Sequence, residues 1–185
     1  MGEFLMHQNS MNLMQEFVDK YNVKSGTVLD IGSMDLNGSY KGLFPEDLVK
    51  YIGVDIAEGK NVDIIMDSPE WKKIKDADCA ICGQTLEHVA NIPKLMDSLF
   101  EALKPGGLLC MIAPSAGPPH DYPIWVGHFS DEYMADIVKK AGFEVLECMT
   151  SQVEPFRDVR CIARKSEYSQ QKAKKSADRF AQKKN

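Results

Sequence analysis

An α/β fold built on a mostly parallel sheet is what this sequence predicts, on three observations. Short apolar runs alternate with helical stripes along most of its 185 residues. Leu108 to Ala113 lacks the polar alternation of a half-exposed strand, as expected of one covered on both faces. The run Thr27-Val28-Leu29-Asp30-Ile31 ends in an acid and opens into a glycine-bearing turn, Gly32 to Gly38, of the kind that lies beside a ligand at a strand's carboxyl end.

Taken in order, the elements follow from local chemistry. Ser10 is placed to cap a helix whose apolar stripe is Met11, Met14, Phe17, Val18 and Tyr21. Strands are expected at about 27–32, 51–55, 62–67 and 77–82. A helix with the face Ile92, Leu95, Met96, Leu99, Phe100 and Leu103 starts at Asn91-Ile92-Pro93 and stops at Pro105-Gly106-Gly107. After the strand at 108–113 comes a loop rich in proline and glycine, to about Gly127. Ser130 then caps a helix with Asp131 and Glu132 in its first turn and Gly142 as its stop. Phe143–Met149 and Arg157–Ala163 complete seven strands. The last two share a short connection with no helix, so they should pair antiparallel.

One domain is expected over residues 1–165, followed by a basic tail over 166–185. From Arg164 to Asn185 eight Lys/Arg face Glu167 and Asp178, a net of +6, which leaves −11 for the body out of a total of −5. An acidic body argues against a broad nucleic-acid face, and the tail reads as a solvated segment, helical or disordered. No apolar run approaches the roughly 18 residues needed to cross a bilayer, and no secretory leader is apparent, so a cytoplasmic location is expected. Five cysteines make no disulfide framework. Cys79 and Cys82 have the spacing of a redox or zinc pair but fall on a strand, where residues three apart face opposite ways. No other cluster has metal-ligand spacing, and no metal is expected.

Three acids, Asp30, Asp55 and Asp67, stand at the ends of three consecutive strands. An acid closing the second strand is placed to accept both hydroxyls of a ribose. Asp67 suits an exocyclic amine, and an ammonium suits Asp30. The dinucleotide fingerprint is broken, since Met34 stands where its second glycine is needed, and no G-x-x-x-x-G-K-[ST] loop occurs. A nucleoside with an ammonium and no phosphate fits best.

With these pieces in view, the sequence resembles the class I S-adenosylmethionine-dependent methyltransferases, in their small-molecule branch. Val28-Leu29-Asp30-Ile31-Gly32-Ser33, Gly53-Val54-Asp55, Ile65-Met66-Asp67, Gly83-Gln84-Thr85-Leu86-Glu87-His88-Val89 and Leu103-Lys104-Pro105-Gly106-Gly107 carry the resemblance over about residues 25–165. It implies a three-layer α-β-α sandwich with a seven-stranded, mostly parallel sheet of order 3-2-1-4-5-7-6, strand 7 antiparallel. It also implies S-adenosyl-L-methionine as cofactor. Gly32, with Ser33, Met34 and Gly38 in its loop, would lie by the methionine moiety, Asp55 and Ile56 by the ribose, and Asp67 by the adenine. Gly83 and Gln84 would face the sulfonium.

The chemistry expected is methyl transfer to the hydroxyl of a small molecule, sugar or glycan. The loop Pro114 to Pro123 carries His120, Asp121 and Tyr122 over the crevice, with His120 the expected general base and His128 in reserve. His88 is read as a brace. The alternatives are an RNA methyltransferase that uses the basic tail and a non-catalytic cofactor-binding subunit.

Overall fold

A computed structural model describes residues 8–36, 38–119 and 124–166. The elements in chain order are α1 (Gln8–Lys20), β1 (Gly26–Ile31), β2 (Val49–Asp55), β3 (Ile64–Ile65), β4 (Ala77–Gly83), α2 (Ile92–Ala102), β5 (Leu103–Ala113), α3 (Asp131–Lys140), β6 (Phe143–Thr150) and β7 (Val159–Lys165). The seven strands form one sheet in the order β3-β2-β1-β4-β5-β7-β6. β1 pairs parallel with β2 and β4, β2 with β3, and β4 with β5. β7 runs antiparallel between β5 and β6, as the short helix-free connection requires.

Strict alternation divides the central strands between two cores. Val28, Cys79, Ile81, Cys110 and Ile112 meet Met14, Phe17 and Val18 of α1 on one face. Leu29, Ile31, Ala80, Cys82, Leu109 and Met111 meet Leu95, Met96 and Leu99 of α2 and Met134 and Val138 of α3 on the other. The sandwich therefore has three layers, as expected. Cys79 and Cys82 lie in different cores, which removes them from redox or zinc chemistry as a pair. Among the described residues no helix is long and apolar enough to cross a membrane.

Several boundaries differ from the sequence reading. α1 begins by Gln8, so Ser10 lies inside its first turn, where its buried hydroxyl sits 2.5 Å from that of Tyr40. A strand expected at 62–67 shrinks to two residues, because Asn61 and Asp67 flank it with positive φ of 67° and 64°. β5 starts at Leu103 and carries Pro105-Gly106-Gly107 within its first half, where its pairing with β4 shifts register between Ala77 and Cys79. β7 begins two residues later than expected, at Val159. Ser130 does cap α3, accepting from the Tyr133 amide at 3.1 Å, and Asn91 caps α2 through the Lys94 amide at 3.0 Å.

One buried cation locks α1 to the sheet. The Arg160 guanidinium on β7 donates to the Leu13 carbonyl and to the Glu16 carboxylate, each at 2.9 Å. Leu99 is fully buried at the centre of the α2 packing. Leu99→Ala is expected to cost about 2–5 kcal/mol, measured by urea denaturation.

Candidate functional site

The carboxyl ends of β1, β2 and β4 meet along one rim, and the loops that leave them form the candidate site. Gly32 turns the chain out of β1 with φ of 78°, and a Cβ there would strike the Thr85 side chain beyond β4. Its amide and that of Ser33 both donate to the Val54 carbonyl, at 2.8 and 3.2 Å. The Ser33 hydroxyl donates to the Asn61 carbonyl at 3.0 Å, so this loop is stitched both to β2 and to the segment that follows it.

Asp55 sits at the tip of β2. One carboxylate oxygen accepts from the Met34 amide at 3.0 Å and the other from its neighbour Ile56 at 2.7 Å. Each oxygen has a second lone pair, so the group keeps capacity for two further donors such as vicinal hydroxyls. The Ile56 side chain is largely exposed beside it, an apolar surface suited to the flat face of a base. The Met34 side chain packs over Gly59, so the glycine missing at 34 is matched by one in the opposing loop. Gly38 donates to the Asp35 carboxylate at 3.0 Å, and Lys60 pairs with Asp35 at 2.6 Å, which holds that carboxyl below its ordinary range.

The other two acids are engaged differently. Asp30 is buried and accepts from the Tyr51 hydroxyl at 2.5 Å. Burial pushes its carboxyl up to about 7, against the lowering effect of that hydrogen bond and with a smaller push from the charge of Asp55. Asp67 is half exposed and paired with Lys94 at 2.6 Å. Asp30 and Asp55 thus feel one another across the rim, while Asp67 carries a cation of its own.

Beyond β4, Gly83 lies against the Tyr40 ring, which leaves no space for a Cβ. Gln84 adopts φ of 53° and donates to Asp158 at 2.9 Å. Asp158, fully buried, also accepts from Asn9 of α1 at 2.6 Å. Sequence reasoning missed Asp158 altogether. Its only local signal is an acid just before an apolar run.

A short 3-10 turn, Leu86–His88, follows. The His88 Nδ1 donates to the Ile124 carbonyl at 2.6 Å, and the Glu87 carbonyl accepts from the Val126 amide at 2.8 Å. His88 is therefore a brace, for the segment after the proline-rich loop rather than for the start of α2. The Trp125 ring stands edge-on to both His88, at 6.0 Å, and His128, at 5.1 Å. His128 is exposed. His120, with Asp121 and Tyr122, lies outside the described residues.

A family model described as a methyltransferase domain matches residues 3–148. The chain belongs to that family. No curated protein sequence matches this methyltransferase. Among solved structures it is similar to the 1,6-didemethyltoxoflavin-N1-methyltransferase of Burkholderia thailandensis, bound to 1,6-didemethyltoxoflavin and S-adenosylhomocysteine. There the TM-score is 0.67 at 16% identity, over 85% of this chain and 79% of that one. It is also similar to the magnesium protoporphyrin IX methyltransferase of Synechocystis PCC 6803, solved with S-adenosylmethionine bound, with TM-score 0.60 at 17% identity over 86% and 80% of the two chains. A third, the CurJ carbon methyltransferase, gives TM-score 0.64 at 14% identity; the match covers 84% of this chain and 54% of that longer one. These likenesses establish the methyltransferase fold, and they span nitrogen and carbon acceptors.

The raised Asp30 carboxyl makes stability depend on pH. Unfolded, the group titrates near its ordinary 3.8; folded, near 7. Between those values only the unfolded chain releases the proton, so stability falls as pH rises through the window and levels above it. Asp30→Asn is expected to make that fall shallower, leaving the share of the other raised carboxyl, Glu87, in place, read as denaturation midpoints from pH 4 to 8.

Proposed function

We infer that this methyltransferase transfers the methyl group of S-adenosyl-L-methionine to a hydroxyl of a small molecule, sugar or glycan, in the cytoplasm. The single observation that carries the donor assignment is Asp55. Its carboxylate stands at the tip of β2 with lone pairs to spare, an exposed isoleucine follows it, and the Gly32 loop is fastened to it through the Met34 amide. That arrangement suits the vicinal hydroxyls of a ribose and the face of an adenine, and the donor set fits the nucleoside.

In this reading Gly32, Ser33, Met34 and Gly38 line the amino-acid end of the donor, with the buried Asp30 beneath. Asp55 and Ile56 hold the ribose and adenine, Asp67 lies at the adenine edge, and Gly83 and Gln84 face the sulfonium. When bound, the donor supplies an electrophilic methyl group. The chain aligns the acceptor in line with it, keeps water away and takes up the proton the hydroxyl releases. His120 is the proposed base, with His128 in reserve. Residues 1–165 are proposed as the catalytic domain, with the basic tail outside it.

Two outcomes test the assignment. Asp55→Ala is expected to weaken S-adenosylmethionine binding by at least about tenfold, the loss of one charge-assisted hydrogen-bond pair, measured by calorimetry; unchanged affinity refutes the placement. His120→Ala is expected to lower turnover by about a hundredfold or more while leaving donor affinity alone, as for a lost general base, measured as methyl incorporation into a panel of phenols and sugars. Equal rates would remove His120 from the mechanism.

A further inference from the structure

Among the described residues near the rim, Glu87 is a side chain whose burial has no evident structural return. It is fully buried, and neither carboxylate oxygen has a hydrogen-bond partner among the described residues. Leaving such a group unsatisfied costs about 1–3 kcal/mol. Native proteins rarely retain one without a use for it.

The place of Glu87 in the fold suggests that use. It stands three residues beyond Gln84, at the carboxyl end of β4, in the turn that pins the segment 124–126 from both sides. That segment emerges from the loop expected over the acceptor. The titratable groups facing the carboxyl are His88, with Nε2 3.9 Å from Oε1, the buried Asp158 of the β7 approach, and Cys82 of β4. Asp158 is itself taken up by Asn9 and Gln84. Burial pushes the Glu87 carboxyl up to about 8, against the lowering effect of its own backbone amide and with a smaller push from the charge of Asp158. At neutral pH it is therefore chiefly the uncharged acid, which offers one O–H donor and one carbonyl acceptor side by side.

We propose that Glu87 is an acceptor-binding residue, whose buried and unsatisfied carboxyl is completed by a neutral hydroxyl of the methyl acceptor that enters beneath 124–126. A hydroxyl both donates and accepts, and so matches both oxygens of the uncharged acid. An ammonium offers donors alone: it can bond the carbonyl oxygen but leaves the acid's O–H unpaired. The inference rests on the hydroxyl reading above and deepens it, by naming the side chain that selects a neutral acceptor over a cationic one.

The test uses the full chain loaded with S-adenosylhomocysteine at pH 7, with paired probes: benzyl alcohol against benzylamine, and glucose against glucosamine. Binding is measured by calorimetry or ligand-observed NMR, so no turnover is needed. The wild type is expected to bind at least one hydroxyl member more tightly than its amine counterpart. Glu87→Leu should weaken that binding at least about tenfold with S-adenosylhomocysteine affinity unchanged. Its melting temperature without probe should equal or exceed the wild type's, since an unpaired buried carboxyl is lost. Glu87→Gln keeps a neutral donor beside an acceptor and should stay within about threefold of wild type, because the same two hydrogen bonds remain available.

Amine preference, no hydroxyl binding, an unaffected Leu variant, or a Gln variant as weak as Leu each overturns the proposal. A lower melting temperature for Glu87→Leu also overturns it, since the group would then be structural. Failure of the hydroxyl reading itself shows separately, as donor turnover on amines or carbon acceptors alone in the methyl-incorporation assay.

Discussion

Two hydrogen bonds to one buried carboxylate hold this rim together. Asp158 accepts from Asn9 in the first helix and from Gln84 at the end of the central strand. Those residues lie 149 and 74 positions from it in the chain. A fully buried carboxylate must be paired or it destabilises the fold. The first helix, the loop beyond β4 and the approach to β7 are therefore fixed relative to one another at a single point. Asn9 extends the link to the Ser151 hydroxyl at 3.1 Å, and the neighbouring Ser10 meets Tyr40, whose ring lies on Gly83. The backbone proposed to face the sulfonium is thus backed by packed and hydrogen-bonded groups rather than by a free loop, as preorganisation of a transfer site requires.

Much of the fold was legible because the buried strands are short apolar runs with clear ends. β1, β2, β4 and the second half of β5 read correctly for that reason, and the caps Asn91 and Ser130 marked two helices through local chemistry alone. What failed depends on tertiary pairing. β3 has the composition of a longer strand, but the positive φ of Asn61 and Asp67 confines it. Ser10 has the residue type of a cap yet serves as a buried partner to Tyr40. The first half of β5 contains a proline and two glycines that take no ladder partner: Leu103 pairs with Ala77, and pairing resumes at Leu108 with Cys79.

The site divides along the same line. Gly32 and Asp55 announce themselves through a turn and a strand end, both local. The pairing of Asp158 and the unpaired carboxyl of Glu87 are properties of three-dimensional proximity, and no spacing encodes them. Met34 illustrates the intermediate case. It looks like a defect in a glycine pattern until Gly59, 25 residues on, is seen to make room for it.

Trp125, standing edge-on between the rings of His88 and His128, gives the molecule an optical consequence. The chain has two tryptophans, and the other, Trp71, is buried in the core on the α2 side. Their emission should separate into a blue component from the sequestered indole and a redder one from the half-buried Trp125. Imidazolium quenches indole fluorescence far more strongly than imidazole, so the redder component reports directly on the charge state and approach of the flanking rings.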